Sequence, residues 1–282
     1  VRKEIQKSLT ANGNEARFVN RLRNTSDATR YEHPNRKTQD ELTYESMGYK
    51  EAHISKQQAK QLGLKLKTTH TWPREESLFM SFPNNDQSFT LMLNFNLERE
   101  NSLAELTTEK RVGEYLKNNF PDLQPIFPEI ITSILHNPTG TFATLLTAPW
   151  YSGNVVLIGD AAHACIPFYG QGTYAAFDDV IVLCKLLDEH DGSWSKIFPL
   201  YQEERKKNTD ILAQLSRENF AELRDKSRSL HAVFKKKADT LLSKLFPSLW
   251  VPPIFMSIAH GQRPYVEELR LFQRQQKIAK YT

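Results

Sequence analysis

Two glycine-containing steps near the middle of the chain have residue types suited to binding an anionic, sugar-bearing ligand. The apolar run 154–158 ends in Gly159-Asp160, and Gly170-Gln171-Gly172 follows eleven residues later. An aspartate beyond the end of a buried strand can accept hydrogen bonds from sugar hydroxyls, and a glycine lets a ligand approach the backbone. Two glycines opening a helix leave free N–H groups, which carry about half a positive charge. Together the steps predict a helix N-terminus and a carboxylate that serve one ligand.

Each step alone has a plain structural interpretation, because Gly-Asp is common in turns and Gly-x-Gly is common at helix starts. His163 and Cys165 lie between the two steps. Histidine titrates near neutral pH, but we assign His163 a structural role, and we interpret Cys165 as a small buried residue rather than a nucleophile. No catalytic side chain is predicted. The histidines lack metal-ligand spacing, so no metal site is predicted either.

A strand over 154–158 and a helix over 172–187 would position these residues. Upstream, a turn cluster at 83–87 separates two β-rich runs and predicts a hairpin over 77–95. Alternation on its first strand places Leu78, Met80 and Phe82 on one face. After a short opening helix, residues 10–50 are polar and are predicted to be mostly loop. The remaining predicted elements are strands at 43–45, 69–72 and 141–148, and helices at 103–119, 123–135, 196–246 and 264–281.

The overall composition of the chain limits the classes of function that it can have. With 282 residues, of which 39% are hydrophobic and 25% charged, the chain has the make-up of a globular protein of one or two domains. Its net charge of +4 is spread along the sequence, which argues against a nucleic-acid partner. Two cysteines exclude a disulfide framework and indicate a reducing compartment. No apolar run approaches the roughly 20 residues that a membrane span needs.

The two glycine steps belong to a longer pattern, Gly159-Asp160-Ala161-Ala162-His163, then Pro167, then Gly170-Gln171-Gly172, then Phe177-Asp178-Asp179. This pattern resembles the second FAD-binding signature of the class A flavoprotein monooxygenases. The resemblance implies that Asp160 contacts the ribitol chain and that 167–173 lie near the isoalloxazine ring. The implied cofactor-binding residues are Gly159, Asp160, Pro167, Gly170, Gln171, Gly172, Thr173 and Tyr174.

Other segments resemble the kynurenine 3-monooxygenases within that family. They are Gly48-Tyr49-Lys50-Glu51, Thr71-Trp72-Pro73-Arg74, Phe82-Pro83-Asn84, Pro167-Phe168-Tyr169-Gly170-Gln171-Gly172, Asn219-Phe220-Ala221-Glu222-Leu223-Arg224 and Arg263-Pro264-Tyr265-Val266-Glu267. The resemblance implies that Asn219 and Tyr265 hold the amino-acid end of the substrate. It also implies that Leu78, Met80 and Phe82 line an apolar pocket for the aniline ring, with Phe168 on the flavin side.

The resemblance implies an α/β (α+β) fold with an incomplete Rossmann-like FAD-binding domain. The expected segments are an N-terminal helix and polar loop at 1–39, a β-sheet substrate domain at 40–148, part of the FAD-binding domain at 149–190, and a helical region at 191–282. The implied reaction is the hydroxylation of L-kynurenine, with FAD as cofactor and NADPH and O2 as cosubstrates. We expect an intracellular protein, either cytoplasmic or at the mitochondrial outer membrane if a further C-terminal segment anchors it.

Three features depart from the family pattern. Tyr174 stands where relatives usually have Asn, and Asn94 stands where they tend to have an aromatic pocket residue. No Gly-x-Gly-x-x-Gly follows an N-terminal strand, so we expect the family's dinucleotide-binding segment to lie upstream of Val1. Two alternatives therefore stay open: a related hydroxylase of another aromatic substrate, and a non-catalytic, truncated remnant of such an enzyme.

Overall fold

A computed structural model describes residues 17–19, 41–74, 77–97, 102–225, 242–243, 254–260 and 263–279. The chain divides into two compact units. The second unit runs from Tyr44 to Phe142 and includes the end of the longest helix. The first unit contains the other described elements, so the second unit is inserted into the sequence of the first. The mixed helix-and-sheet fold confirms the predicted fold class.

The second unit is built on a five-stranded sheet in the order β3-β4-β5-β2-β6. The strands are β2 (Glu41–Ile54), β3 (His70–Pro73), β4 (Ser77–Pro83), β5 (Phe89–Asn96) and β6 (Gly140–Leu146). β4 and β5 pair antiparallel, with Leu78 opposite Asn94 and Phe82 opposite Thr90. The predicted hairpin is therefore confirmed. Its turn is closed by Asp86, whose carboxylate accepts from the Ser88 backbone N–H at 3.0 Å.

The strand β2 confirms the strand predicted at 43–45, but it is much longer and so corrects the prediction that most residues up to about 50 form a loop. It extends over 14 residues, Glu41–Ile54. From Met47 to Ile54 it pairs antiparallel with β5. Ala52 and Ile54 are buried in the core, whereas the start of the strand is polar and partly exposed. Pairing with a distant strand, rather than local hydrophobic alternation, therefore stabilises this element.

Three helices cover one face of the sheet: α1 (Lys56–Gln61), α2 (Glu109–Asn119) and α3 (Phe127–His136), the last preceded by a 3-10 turn over Pro121–Ile126. The predicted start of α2 at 103 was wrong, because the Thr108 hydroxyl caps the helix by accepting from Arg111 N at 3.3 Å. Phe79 stacks on Phe120 with ring centroids 3.9 Å apart. The core between sheet and helices consists mainly of Ala52, Ile54, Phe79, Phe89, Leu91, Leu93, Phe95, Val112, Leu116, Phe120, Ile126 and Ile130.

The first unit contains a three-stranded sheet in the order β1-β8-β7. β8 (Val155–Leu157) pairs parallel with β1 (Arg17–Val19) and antiparallel with β7 (Tyr151–Ser152). In the described part of this unit the helices are α4 (Asp160–His163), α5 (Gly172–Glu189), α6 (Trp194–Asp225), α7 (Ile254–His260) and α8 (Tyr265–Ala279). The predicted helix 196–246 is described to residue 225, and most of its continuation lies outside the described residues. No helix in the described part of the chain is long and apolar enough to cross a membrane.

Candidate functional site

The junction between β8 and α4 is the first part of the site. Gly159 adopts φ +60° and ψ −143°, a conformation available almost only to glycine. A Cβ atom at this position would lie 3.3 Å from the Cβ of Ala176 in α5. The buried Gly159 therefore allows both a sharp turn and close packing of a helix. Asp160, the next residue, opens α4 and is exposed.

A buried ionic cluster lies directly behind this junction. Asp179, with 0% exposure, accepts from the Gly159 backbone N–H at 2.8 Å and lies 2.7 Å from His163 Nε2 through the same oxygen. Its other carboxylate oxygen accepts from Arg205 Nε at 2.8 Å. Arg205 also donates to the carbonyl of Ala175, at 2.8 Å. One carboxylate thus links the strand end to α4, α5 and α6.

Burial alone would raise the pKa of Asp179, because it disfavours the charged form. The hydrogen bond and charge of His163, together with Arg205, outweigh burial and hold the pKa of Asp179 below its ordinary value. The carboxylate is therefore ionised at neutral pH. His163 is buried and engaged with Asp179. This arrangement agrees with the structural role predicted for His163.

The loop between α4 and α5 is the second part of the site. Pro167–Tyr169 form a single 3-10 turn, closed by a 3.0 Å bond from Gly170 N to the carbonyl of Pro167. Gly170 is left-handed, with φ +66° and ψ +21°. Helix α5 then begins at Gly172 without a side-chain cap and without an acidic residue in its first turn. Its first N–H groups are therefore available to a ligand acceptor.

Several predicted cofactor residues are exposed at this end of the first unit. Pro167, Gly170, Thr173 and Tyr174 are exposed, Tyr174 by 62%, while Gln171 and Gly172 are half-buried. Such exposure is compatible with a bound ligand covering them.

The two polar residues predicted to hold the substrate both contact this loop. Asn219 Nδ2 donates to the carbonyl of Phe168 at 2.8 Å, and the Phe168 ring stacks on Phe220 with centroids 4.3 Å apart. Tyr265 donates from its hydroxyl to Gln171 Oε1 at 3.4 Å. Burial raises the pKa of Tyr265 to about 12, so its hydroxyl keeps its proton at neutral pH. The structure thus brings Asn219 and Tyr265 to the predicted cofactor loop.

The three apolar residues predicted to line the pocket belong to the second unit. Leu78 is buried, whereas Met80 and Phe82 are half-buried. They alternate along β4 with Phe79, which lies in the helix-covered core. Leu78, Met80 and Phe82 therefore share the opposite face of the sheet. Their contact with a substrate stays a prediction.

Sequence reasoning missed the roles of Asp179 and Arg205. A signal was present, because Asp179 shares a buried stripe of α5 with Ala175, Leu183 and Leu186 at helical spacing. A carboxylate on such a stripe needs a buried partner. Its partner, Arg205, lies on another helix, and the spacing of residues does not reveal that pairing.

The sequence pattern and geometry agree with a family comparison. The family described as "FAD binding domain" matches residues 41–215. The chain belongs to this family. Its cofactor is FAD, and the residues present fit that group: an exposed Asp160 at a glycine turn, and an uncapped 18-residue helix preceded by an exposed loop.

Curated relatives of the chain are kynurenine 3-monooxygenases. The kynurenine 3-monooxygenase of Salinispora arenicola is 40% identical over 82% of this chain and 51% of the relative. That of Flavobacterium johnsoniae is 38% identical over 80% of this chain and 51% of the relative. The predicted resemblance to the kynurenine 3-monooxygenases is therefore confirmed. The chain spans about half the length of the curated relatives it matches.

Solved structures show the same fold at lower identity. A tetrameric form of 2-methyl-3-hydroxypyridine-5-carboxylic acid oxygenase superposes with a TM-score of 0.55 and 21% identity, covering 70% of this chain and 53% of that one. Klebsiella pneumoniae HpxO, solved with FAD and uric acid, gives a TM-score of 0.55 and 16% identity, covering 70% of this chain and 49% of that one.

Proposed function

We propose that this chain is part of an FAD-dependent monooxygenase that converts L-kynurenine to 3-hydroxykynurenine and consumes NADPH and O2. The proposal rests on the presence, in one compact unit, of an exposed Asp160 at the Gly159 turn and an uncapped start of α5. Curated kynurenine 3-monooxygenases at 31–40% identity support the substrate. The cofactor supplies the redox and oxygen chemistry when bound.

The residues of this chain bind and orient the reactants in the proposed reaction. Asp160 accepts hydrogen bonds from ribitol hydroxyls, and the N–H groups at the start of α5 stabilise negative charge on the flavin ring. The loop from Pro167 to Thr173 excludes water beside that ring, together with Tyr174. These roles rest on geometry and on resemblance to the family.

The proposed substrate contacts divide into a polar group and an apolar group. Asn219 and the protonated hydroxyl of Tyr265 hold the amino-acid end of the substrate. Leu78, Met80, Phe82 and Phe168 contact the ring.

No side chain of the described site is proposed as an acid or a base. His163 is held by Asp179, and burial raises the pKa of the Cys165 thiol to about 11, so that it stays protonated. The protein's contribution to rate is therefore positioning and exclusion of water.

The first experiment is titration of FAD into the purified chain, followed by absorbance and flavin fluorescence. We expect Asp160→Ala to weaken FAD binding by about tenfold or more, because it removes charge-assisted hydrogen bonds. The matched control is Asp188→Ala, which removes the same charge from an exposed position near the other end of α5 and should bind FAD like the wild type.

Activity is tested next as kynurenine-dependent NADPH oxidation, with detection of 3-hydroxykynurenine. Stoichiometric FAD binding accompanied by this product supports the proposal. Failure of the wild-type chain to bind FAD would contradict an autonomous enzyme. FAD binding without turnover of kynurenine, but with turnover of another aromatic compound in a panel, would contradict the substrate alone.

A further inference from the structure

Asn94 lies on the face of the second unit's sheet opposite α1, α2 and α3, and its side chain is fully buried there. Along β5, residues 89, 91, 93 and 95 point into the core beneath the helices. Because side chains alternate along a strand, Asn94 points to the opposite face. It lies directly across from Leu78 of β4 and Tyr49 of β2. The polar side chain is thus on the same face as the three apolar residues of β4.

The hydrogen bonding of Asn94 is incomplete. Its Nδ2 donates to the carbonyl oxygen of Leu78 at 2.6 Å. A carbonyl only accepts, so this contact fixes which end of the carboxamide is the nitrogen. The other end, Oδ1, is buried and has no hydrogen-bond partner among the residues that the structure describes. A buried acceptor without a partner is costly and uncommon in folded proteins.

The surroundings of Asn94 suit an aromatic ring. Met80 and Met92 face each other across β4 and β5, beside the Leu78–Asn94 pair, and both are half-buried. Methionine side chains are unbranched and adaptable, so they can move aside for a flat ligand. Tyr49 stacks on Phe142 with ring centroids 5.0 Å apart. This face of the sheet therefore offers apolar contacts around the unsatisfied carboxamide oxygen of Asn94.

We infer that the free carboxamide oxygen of Asn94 accepts a hydrogen bond from an N–H or O–H group on the ring of the substrate, and so selects rings that carry such a donor. The inference rests on the proposed function and makes it more specific. In kynurenine the donor is the ring amine. An apolar pocket wall would accept rings with and without the amine alike, whereas a buried acceptor discriminates against a ring that leaves it unpaired.

The test compares two ligands by isothermal titration calorimetry on the purified chain with FAD present. The ligands are L-kynurenine and the analogue in which hydrogen replaces the ring amine. We expect the wild type to bind kynurenine about tenfold or more tightly than the analogue. In Asn94→Leu the preference for kynurenine over the analogue should fall to about twofold or less. Leucine has a similar side-chain volume to asparagine but no hydrogen-bond acceptor.

Two further variants separate the acceptor from other effects. Asn94→Asp keeps an acceptor but loses the donor to Leu78, so it should keep the preference even if it is less stable. Met92→Leu changes an apolar side chain on the same face, so it should change the affinity for both ligands equally. Thermal melting confirms that each variant is folded.

The outcomes are distinct. Retention of the full preference in Asn94→Leu would overturn the inference, as would equal loss of both ligands in that variant or loss of preference in Asn94→Asp. Binding of neither ligand by the wild type would overturn the proposed function, and the inference with it.

Discussion

The backbone N–H of Gly159 donates a 2.8 Å hydrogen bond to the buried carboxylate of Asp179, which lies in the middle of α5. The turn that presents Asp160 is therefore fixed from behind by a helix whose own N-terminus belongs to the same site. Asp179 is in turn held by His163 and Arg205. The two halves of the candidate cofactor site are thus coupled through one side chain.

Removal of this carboxylate is expected to destabilise the protein strongly. Asp179→Ala removes the buried carboxylate that pairs with Arg205 at 2.8 Å, and loss of one partner from a buried pair typically costs about 3–5 kcal/mol. The free energy of unfolding is measured by urea denaturation with circular dichroism. The control is Asp178→Ala, whose half-exposed side chain lies 3.7 Å from Arg205 and should cost less than about 1 kcal/mol. Equal losses in the two variants would contradict the central role of Asp179.

Because the Asp179 carboxylate is ionised in the folded protein, we expect the free energy of unfolding to depend on pH. The folded-state pKa of Asp179 lies below its ordinary value of 3.8, so ionisation of Asp179 stabilises the native state. This stabilisation is fully present above about pH 4 and is lost as the pH falls through the lowered pKa. The groups that face Asp179 are the His163 imidazole and the Arg205 guanidinium, with Asp178 near Arg205.

The measurement is the unfolding free energy from pH 7 to pH 3 for the wild type and Asp179→Asn. The difference between them should shrink as the pH falls below about 4. A difference that grows below about pH 4 would show that the sign of the effect is wrong.

Glycine at 159 is expected to matter more than glycine at 170. Gly159→Ala would force alanine into a backbone conformation that it avoids and would place its Cβ 3.3 Å from the Cβ of Ala176. We therefore expect the free energy of unfolding to fall by about 3 kcal/mol. Gly170→Ala should lower the free energy of unfolding by only about 1 kcal/mol, the cost of placing alanine in a left-handed conformation. No atom lies within 4 Å of the added Cβ. Thermal melting of both variants tests the order, and the reverse order would contradict it.

The thiol of Cys165 is expected to be unreactive in the folded protein. Burial is the main reason that its pKa rises to about 11, and the charge of Asp160 adds to it. At pH 8 only about one thiol in a thousand is then ionised, and the thiolate is the reactive form. Iodoacetamide labelling followed by peptide mass spectrometry should modify Cys165 slowly in the native chain and rapidly in urea. Equal rates in the two conditions would rule out this environment.

Local patterns predicted the parts of the fold that short sequence segments determine. The 77–95 hairpin follows from alternation and a turn cluster, and the Gly159-Asp160 turn follows from an apolar run that ends in glycine. Only residues 43–45 of the strand Glu41–Ile54 were predicted, because its continuation to Ile54 depends on pairing with the distant strand β5. The ion pair of Asp179 with Arg205 was missed for a similar reason, since tertiary packing joins two helices. The spacing of residues along the sequence does not reveal which distant strands or side chains pair in the fold.

The parallel pairing of Arg17–Val19 with Val155–Leu157 has a consequence for biosynthesis. These strands are separated in the sequence by the whole second unit, so the small sheet cannot close until the ribosome has made both ends. The second unit is nearly continuous and rich in near-neighbour hairpin contacts, so it can fold first. Pulse proteolysis of stalled nascent chains should therefore detect a protected second unit before residue 155 emerges.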